Sequence, residues 1–565
     1  MSDITFDRAP RFNELTEWLQ QLAGDYPDLV DLDVLGASHE GRELWIATVT
    51  NRASGPHDEK PAVWLDGNIH ASETTASVAL IHLLHALCTG YGSDDRITRA
   101  LDTRTFYIVP RVNPDGAELA LGEVPSIVRA TTREWPRADQ ADGLILGDID
   151  HDGRILQMRV PDDNGTWKAS AAVPRLMVAR DPDEVGSGPY YRLYREGRIQ
   201  NYDGVNVPIA PPVAGIDSNR NFPYHWERYP GKAPTGAGDH PMSEPEVRAV
   251  VEGVTARPNI TAYFAYHTFS GVHLRPYGDQ AQDALPTLDK WIYEDLGERY
   301  TEITGYPSIS ILEDFRYDPK AVIGGSGSDW AYDQIGVISW TTEFWNAMKA
   351  AGIDDPHPIE WFRKHSVDDE LKLLAWADEH VHDGFVDWYE YDHAQLGTVE
   401  LGGWNSANLF RNPPPHLLEA EVAPHTQLAI FQALIAPELR HRDTIVEPAG
   451  AGAWRIRVVV ENTGWLPTNV TQQAVDQRAV LPIRAEIELP TGASLVTGSE
   501  RYDIGQLAGR ALKNSGIGMF AFGSDDTSDR GVAEWVVRAP VGTICTITIH
   551  QARAGIVRTT VTLTD

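Results

Sequence analysis

Cysteine is almost missing: Cys88 and Cys545 are the only two in 565 residues. They are too few for a disulfide framework or a cysteine-based metal cluster. Basic side chains are also short, with 48 Lys and Arg against 81 Asp and Glu and a formal net charge of -33. Nucleic acids and anionic membrane surfaces attract basic patches, so neither is an expected partner. Long apolar runs are absent as well. The longest, near residues 76–88, is broken by His82 and His85, and it falls short of the roughly 20 residues that span a bilayer. The opening MSDITFDRAPRF has no apolar segment of the signal-peptide kind, so the expected location is cytoplasmic.

What is present is the composition of a folded protein: 42% apolar residues, including 17 Trp. The length predicts a large catalytic unit and at least one smaller domain. Leu15, Trp18, Leu19 and Leu22 recur at helical spacing. LVDLDVLG, ELWIATVT and AVWLDG then read as strands, with Gly41-Arg42 as a hairpin turn. Residues 76–86 return to a helical pattern, and TFYIVPRVNPDG reads as a strand ending in a turn. This alternation predicts an α/β domain whose mixed, mostly parallel sheet is flanked by helices. Such sheets carry their sites beyond the carboxyl ends of the strands.

Residues 133–214 are rich in Asp, Gly, Pro and Arg, with short β-like pieces. They read as a β-rich insert in a catalytic domain covering 1–440. Helices are expected around 286–301, 359–379 and 417–434. From 441 to 565 the text is short strands separated by Gly and Pro turns, the pattern of a β-sandwich.

Four places could carry chemistry. His70-Ala-Ser-Glu73 follows the strand AVWLDG directly. A His and a Glu three apart can converge on one metal ion, although H-x-x-E alone also describes a turn whose Glu caps a helix. His267 ends the strand TAYFAYH, and Glu343 lies in ISWTTEFW. Taken singly, these suit a hydrogen-bonded core imidazole and a core carboxylate. Beside a metal, a buried carboxylate can shuttle protons. Asn219-Arg220, within Asp217-Ser-Asn-Arg-Asn-Phe222, offers an amide and a planar fork that suit a carboxylate.

The order of these pieces adds more than any one of them. Gly41-Arg42, H-x-x-E, N-P-D-G, D-x-N-R-N-F, a strand ending in His, G-G-S-x-x-D-W and T-x-E follow one another between residues 6 and 346. This series resembles the zinc carboxypeptidases of the carboxypeptidase A/B type. The resemblance implies Zn2+ held by His70, Glu73 and His267, with Glu343 as general base. It implies Asn219 and Arg220 on the substrate's terminal carboxylate and Arg129 beside the scissile carbonyl, with Arg133 as the competing arginine. Tyr317 is the nearest tyrosine for the mobile phenol of the family, and Phe269 stands where the family usually has a Tyr. The implied activity is removal of C-terminal residues from peptides or proteins. The alternative is deacylation of N-acyl amino acids at the same zinc site.

Asp148, Asp150 and Asp152, followed by Gly153, copy the first half of a calcium loop. Position 12 of that loop is Arg159, so it is not an EF-hand. A Ca2+ site there would need completion by Asp162 or Asp163; the other reading is an acidic hairpin turn.

Overall fold

An eight-stranded sheet organises the catalytic part of the chain. In chain order its strands are β1 (Val30–Ala37), β2 (Glu43–Val49), β3 (Ala62–Gly67), β4 (Thr105–Val109), β5 (Ile260–Thr268), β6 (Val272–Arg275), β7 (Ser308–Ser310) and β8 (Ile338–Phe344). They lie side by side as β1-β2-β4-β3-β5-β8-β6-β7. The four central strands β4, β3, β5 and β8 are parallel, whereas β1, β2 and β6 join antiparallel. The computed structural model describes residues 4–564 apart from 126, 137–140, 230–234, 317–319, 321, 355 and 512–525.

The central strands read as continuous apolar text because both faces are covered. Every residue of β3, β4 and β5 is buried. Helices α1 (Phe12–Asp25), α2 (Thr75–Gly90), α3 (Pro245–Thr255), α4 (Thr287–Thr304) and α5 (Pro415–Leu434) supply the cover. The predicted stripe of α1 is the buried one: Leu15, Trp18, Leu19 and Leu22. Among the described residues, no helix is long and apolar enough to cross a membrane.

The β-rich insert is not self-contained. Its six-stranded sheet runs, in spatial order, Phe385–His393, Gly397–Trp404, Gln157–Pro161, Tyr190–Arg195, Trp167–Ala169 and Met177–Ala179. Two of these strands come from far down the chain. Arg159 marks the join: its guanidinium binds both carboxylate oxygens of Glu400 at 2.8 Å and lies 4.5 Å above the ring of Trp388.

Beyond α5, two four-stranded antiparallel sheets form the expected sandwich. Its core alternates along the strands, with Ile456, Val458 and Val460 facing Ile547 and Ile549 inside one apolar cluster. The sandwich is docked by charge and backbone contacts. Arg553 donates to the carbonyls of Gly336 (2.9 Å) and Ile335 (2.5 Å), and Arg558 forks onto Glu59. Cys88 and Cys545 are both buried and free.

Candidate metal centre

Three neighbouring parallel strands deliver the site. β3 ends at Gly67 and its following turn carries His70 and Glu73; β5 carries His267 and β8 carries Glu343, where these two residues sit directly opposite in register. The cluster therefore lies at the carboxyl end of the parallel strands, where open α/β sheets carry their sites.

Local chemistry holds the turn after β3. The side chain of Asn68 donates to the carbonyls of His70 (2.8 Å) and Ala71 (3.0 Å). Asn113, the first residue of N-P-D-G, donates to Ile69 and Ala130 and accepts from Gly116. It thus ties the His70 turn to the segment carrying Arg129. Arg42 of the Gly-Arg hairpin pairs with the buried Asp115 at 2.6 Å, which holds the N-P-D-G segment in place.

The ligand atoms converge. Nδ1 of His70 lies 3.0 Å from Nδ1 of His267, and the Glu73 carboxylate lies 3.0 Å from the first and 2.9 Å from the second. All three side chains are buried. Ligands at about 2.0–2.1 Å around a tetrahedral ion sit roughly 3.3 Å apart, so this spacing suits one zinc. Two imidazole nitrogens facing each other are bridged either by a shared cation or by the N–H of one ring. The donor set of two imidazole nitrogens and a carboxylate therefore fits Zn2+.

Asp217 completes the surroundings. His70 donates from Nε2 to Asp217 at 3.2 Å, which fixes the tautomer with the Nδ1 lone pair turned toward the centre. The other Asp217 oxygen accepts from Arg129 Nε at 2.7 Å. Burial opposes ionisation of Asp217, but Arg129, Arg220 and His70 together hold its carboxyl well below the usual range. Glu73 behaves alike: burial is outweighed by His70 and His267, and its carboxyl is held well below the usual range. Glu343 goes the other way. Burial and the charge of Glu73 push it up to about 7, against the pull of His267, Arg129 and Arg411.

One cavity gathers His70, Glu343, Arg129, Asn219 and Arg220. Arg133 is elsewhere, paired with the buried Glu244 at 2.9 Å and with Asp239 at 3.2 Å. Asn219 accepts from the backbone of Gly327 at 2.9 Å, and Arg220 donates to the Asn219 carbonyl at 2.6 Å. Here the glycines of G-G-S-x-x-D-W explain themselves: Gly325 sits at φ 71°, and a Cβ there would lie 2.1 Å from the carbonyl oxygen of Arg220. Tyr317 lies outside the described residues.

Two residues near the centre were not expected. Arg411 donates to the Thr268 carbonyl at 3.2 Å, lies 3.4 Å from Glu73 Oε1 and stands 5.0 Å over the Phe269 ring. Asn412 accepts from the backbone and hydroxyl of Thr75, capping the start of α2, and donates to the Ser72 carbonyl at 2.8 Å. The helix after Glu73 is therefore capped from α5's approach, not by Glu73 itself.

The acidic triplet of the insert is an Asx-type turn. Asp148 accepts from the backbone of His151 and Gly153, Asp150 accepts from Asp152 and from the Tyr389 hydroxyl, and Asp152 is forked onto Arg154. These carboxylates are satisfied by the protein, and the Ca2+ reading has no support in their surroundings.

A family model described as zinc carboxypeptidase matches residues 15–354, and one described as a domain of unknown function matches 438–562. A carboxypeptidase B of Astacus astacus is 23% identical over 338 residues, covering 58% of this chain and 82% of its own. A zinc carboxypeptidase of Simulium vittatum is 25% identical over 352 residues, covering 60% of this chain and 87% of its own. Among solved structures, carboxypeptidase A from Helicoverpa armigera aligns with a TM-score of 0.44 at 16% identity, covering 76% of this chain and 75% of that one.

Proposed function

The chain belongs to the zinc carboxypeptidase family and is a zinc metallocarboxypeptidase, and from that premise we propose which of its residues perform the hydrolysis. The observation that carries the reading is the meeting of the two Nδ1 atoms and the Glu73 carboxylate at neighbouring strand ends, with Glu343 in register beside them.

His70, Glu73 and His267 would hold the zinc. When bound, the ion supplies Lewis acidity toward a carbonyl and acidifies water beside it. Asn219 and Arg220 take the substrate's terminal carboxylate, the amide and the guanidinium together fixing which bond reaches the centre. Glu343 accepts a proton from the attacking water and returns it to the departing amine, as a carboxylate in a weakly solvated wall can. Arg129 is aimed by Asp217 and donates to the developing oxyanion, a contribution of about 3 kcal/mol in comparable sites. Asp217 itself positions both His70 and Arg129. The cavity is further lined by Leu274, Ile311, Phe315, Ile323 and the hydroxyls of Ser326, Ser328 and Thr341. None of these is charged, which favours an uncharged terminal side chain.

The test is a side-by-side assay of N-blocked dipeptides ending in Phe, Lys or Glu against N-acetylphenylalanine. Zinc-dependent cleavage of the Phe dipeptide, fastest of the three, is expected. Cleavage of the acyl amino acid alone would assign the centre to deacylation.

A further inference from the structure

Arg411 lies outside the stretch matched to the family, residues 15–354, yet it reaches the reaction cavity. It lies on a short π-helical turn, Ala407–Arg411, that follows the second distal strand of the insert sheet. Its position is held by Phe269 beneath the guanidinium and by the Thr268 carbonyl at Nη1. Among the described residues, Nη1 is the only nitrogen of Arg411 that hydrogen-bonds to protein, so the fork keeps donors for another group.

Arg411 also lines a second, larger cavity. Ser72, next to the ligand Glu73, and Ile127, two residues before Arg129, contribute to it from the family stretch; His380, Asn408 and His416 contribute from beyond it. Among the described residues lining this cavity there is no Asp or Glu. That is unusual in a chain with 81 acidic side chains. Asp383, beside the cavity, is turned to Arg154 at 3.3 Å and to His382 at 3.1 Å. A peptide held by its C-terminus at Asn219 and Arg220, with its last bond at the centre, has to leave the reaction cavity. Arg411 lines both cavities, so the second one is where a chain leaving past Arg411 would run.

We propose that this second cavity is the subsite for residues preceding the scissile bond, and that Arg411 binds a side-chain carboxylate there. The inference rests on the carboxypeptidase reading of the centre and adds a substrate class: peptides acidic just upstream of the cleaved bond. A guanidinium fork suits this because it meets a carboxylate through two parallel N–H donors.

The experiment uses the zinc-loaded full chain and peptides with one C-terminal residue, varied to Glu, Ala or Lys at the two positions before the scissile bond. A blocked dipeptide with Ala before the scissile bond, which brings no side-chain carboxylate to Arg411, is the reference. The expected kcat/KM is about tenfold higher for Glu than for Lys, the scale of one charge-assisted contact. In Arg411→Gln that ratio should fall toward one. Each variant is normalised to its own rate on the blocked dipeptide, with zinc content measured, because Arg411 also neighbours Glu73. If Arg411→Gln loses zinc, Arg411→Lys, which keeps the charge without the fork, should show a reduced ratio. Cleavage of the dipeptide with equal rates on Glu and Lys peptides, or an unchanged ratio in the variants, overturns the inference alone. No turnover on any peptide, the dipeptide included, overturns the reading of the centre as well.

Discussion

His70, Glu73 and His267 on the main sheet, and Asp148, Asp150 and Asp152 on the insert, each bring three ligand atoms within 4.8 Å of one another. Their surroundings separate them. In the first group the imidazole nitrogens face each other, and Asp217, the Thr268 amide and Arg411 contact the outward polar atoms, leaving one shared direction for a cation. In the second, backbone amides, Arg154 and Tyr389 already occupy the carboxylates. Proximity of ligands is common to both; unmet demand for positive charge is found in the first. A buried charge without compensation is costly, so burial converts that demand into metal affinity, whereas a half-exposed turn can satisfy itself.

The comparison can be broken in several ways. The largest effect is expected in Glu343→Gln: turnover should fall by about a thousandfold while zinc content stays at the wild-type level. Turnover above a tenth of wild type would remove Glu343 from the chemistry. Asp217→Asn takes charge from behind His70 and should weaken zinc about 10–100-fold in a competitive chelator titration; unchanged affinity would make Asp217 a bystander.

On the insert, Asp148→Asn should cost about 1 kcal/mol of stability through the lost amide acceptor, read by denaturant unfolding. Millimolar Ca2+ should leave the wild-type melting temperature where it was. A calcium-dependent rise would show that the turn holds a cation after all.

The smallest effect is one of pH. Glu196, which accepts from the amides of Ile149 and Leu156, is pushed up to about 7 by burial, with Asp150 and Asp148 adding to the shift. The folded state therefore holds this proton where the unfolded chain has released it, above the ordinary value of 4.5. Stability from this group is present below that value and declines as pH rises toward 7. Hydrogen exchange of residues 143–200 should quicken from pH 5 to 8 beyond its intrinsic trend, and Glu196→Gln should remove the excess.

Much of the centre was legible because it is local to strand ends. His70 and Glu73 follow a strand that opens with the apolar run of residues 62–65, and His267 and Glu343 interrupt two other largely apolar strands, so the sequence marks them as polar groups where burial is expected. The motif order then joined them. Arg411 and Asn412 carried no such mark. One is an arginine among 48 basic residues, the other a lone amide, and both reach the site through contacts more than 300 positions apart in sequence, Arg411 to Glu73 and Asn412 to Thr75. The two distal strands of the insert sheet escaped for the same reason. Gln157–Pro161 reads as a hairpin arm, and nothing in it announces that its partner is Gly397–Trp404. Pairing at such distance is set by packing, for which a short strand has no local signature.

The most direct test is zinc stoichiometry by elemental analysis after dialysis against a weak chelator, on the wild-type chain and on His267→Ala and Asp150→Ala. One zinc per chain in the wild type and in Asp150→Ala, and almost none in His267→Ala, is the predicted result. Full zinc in His267→Ala would contradict the account.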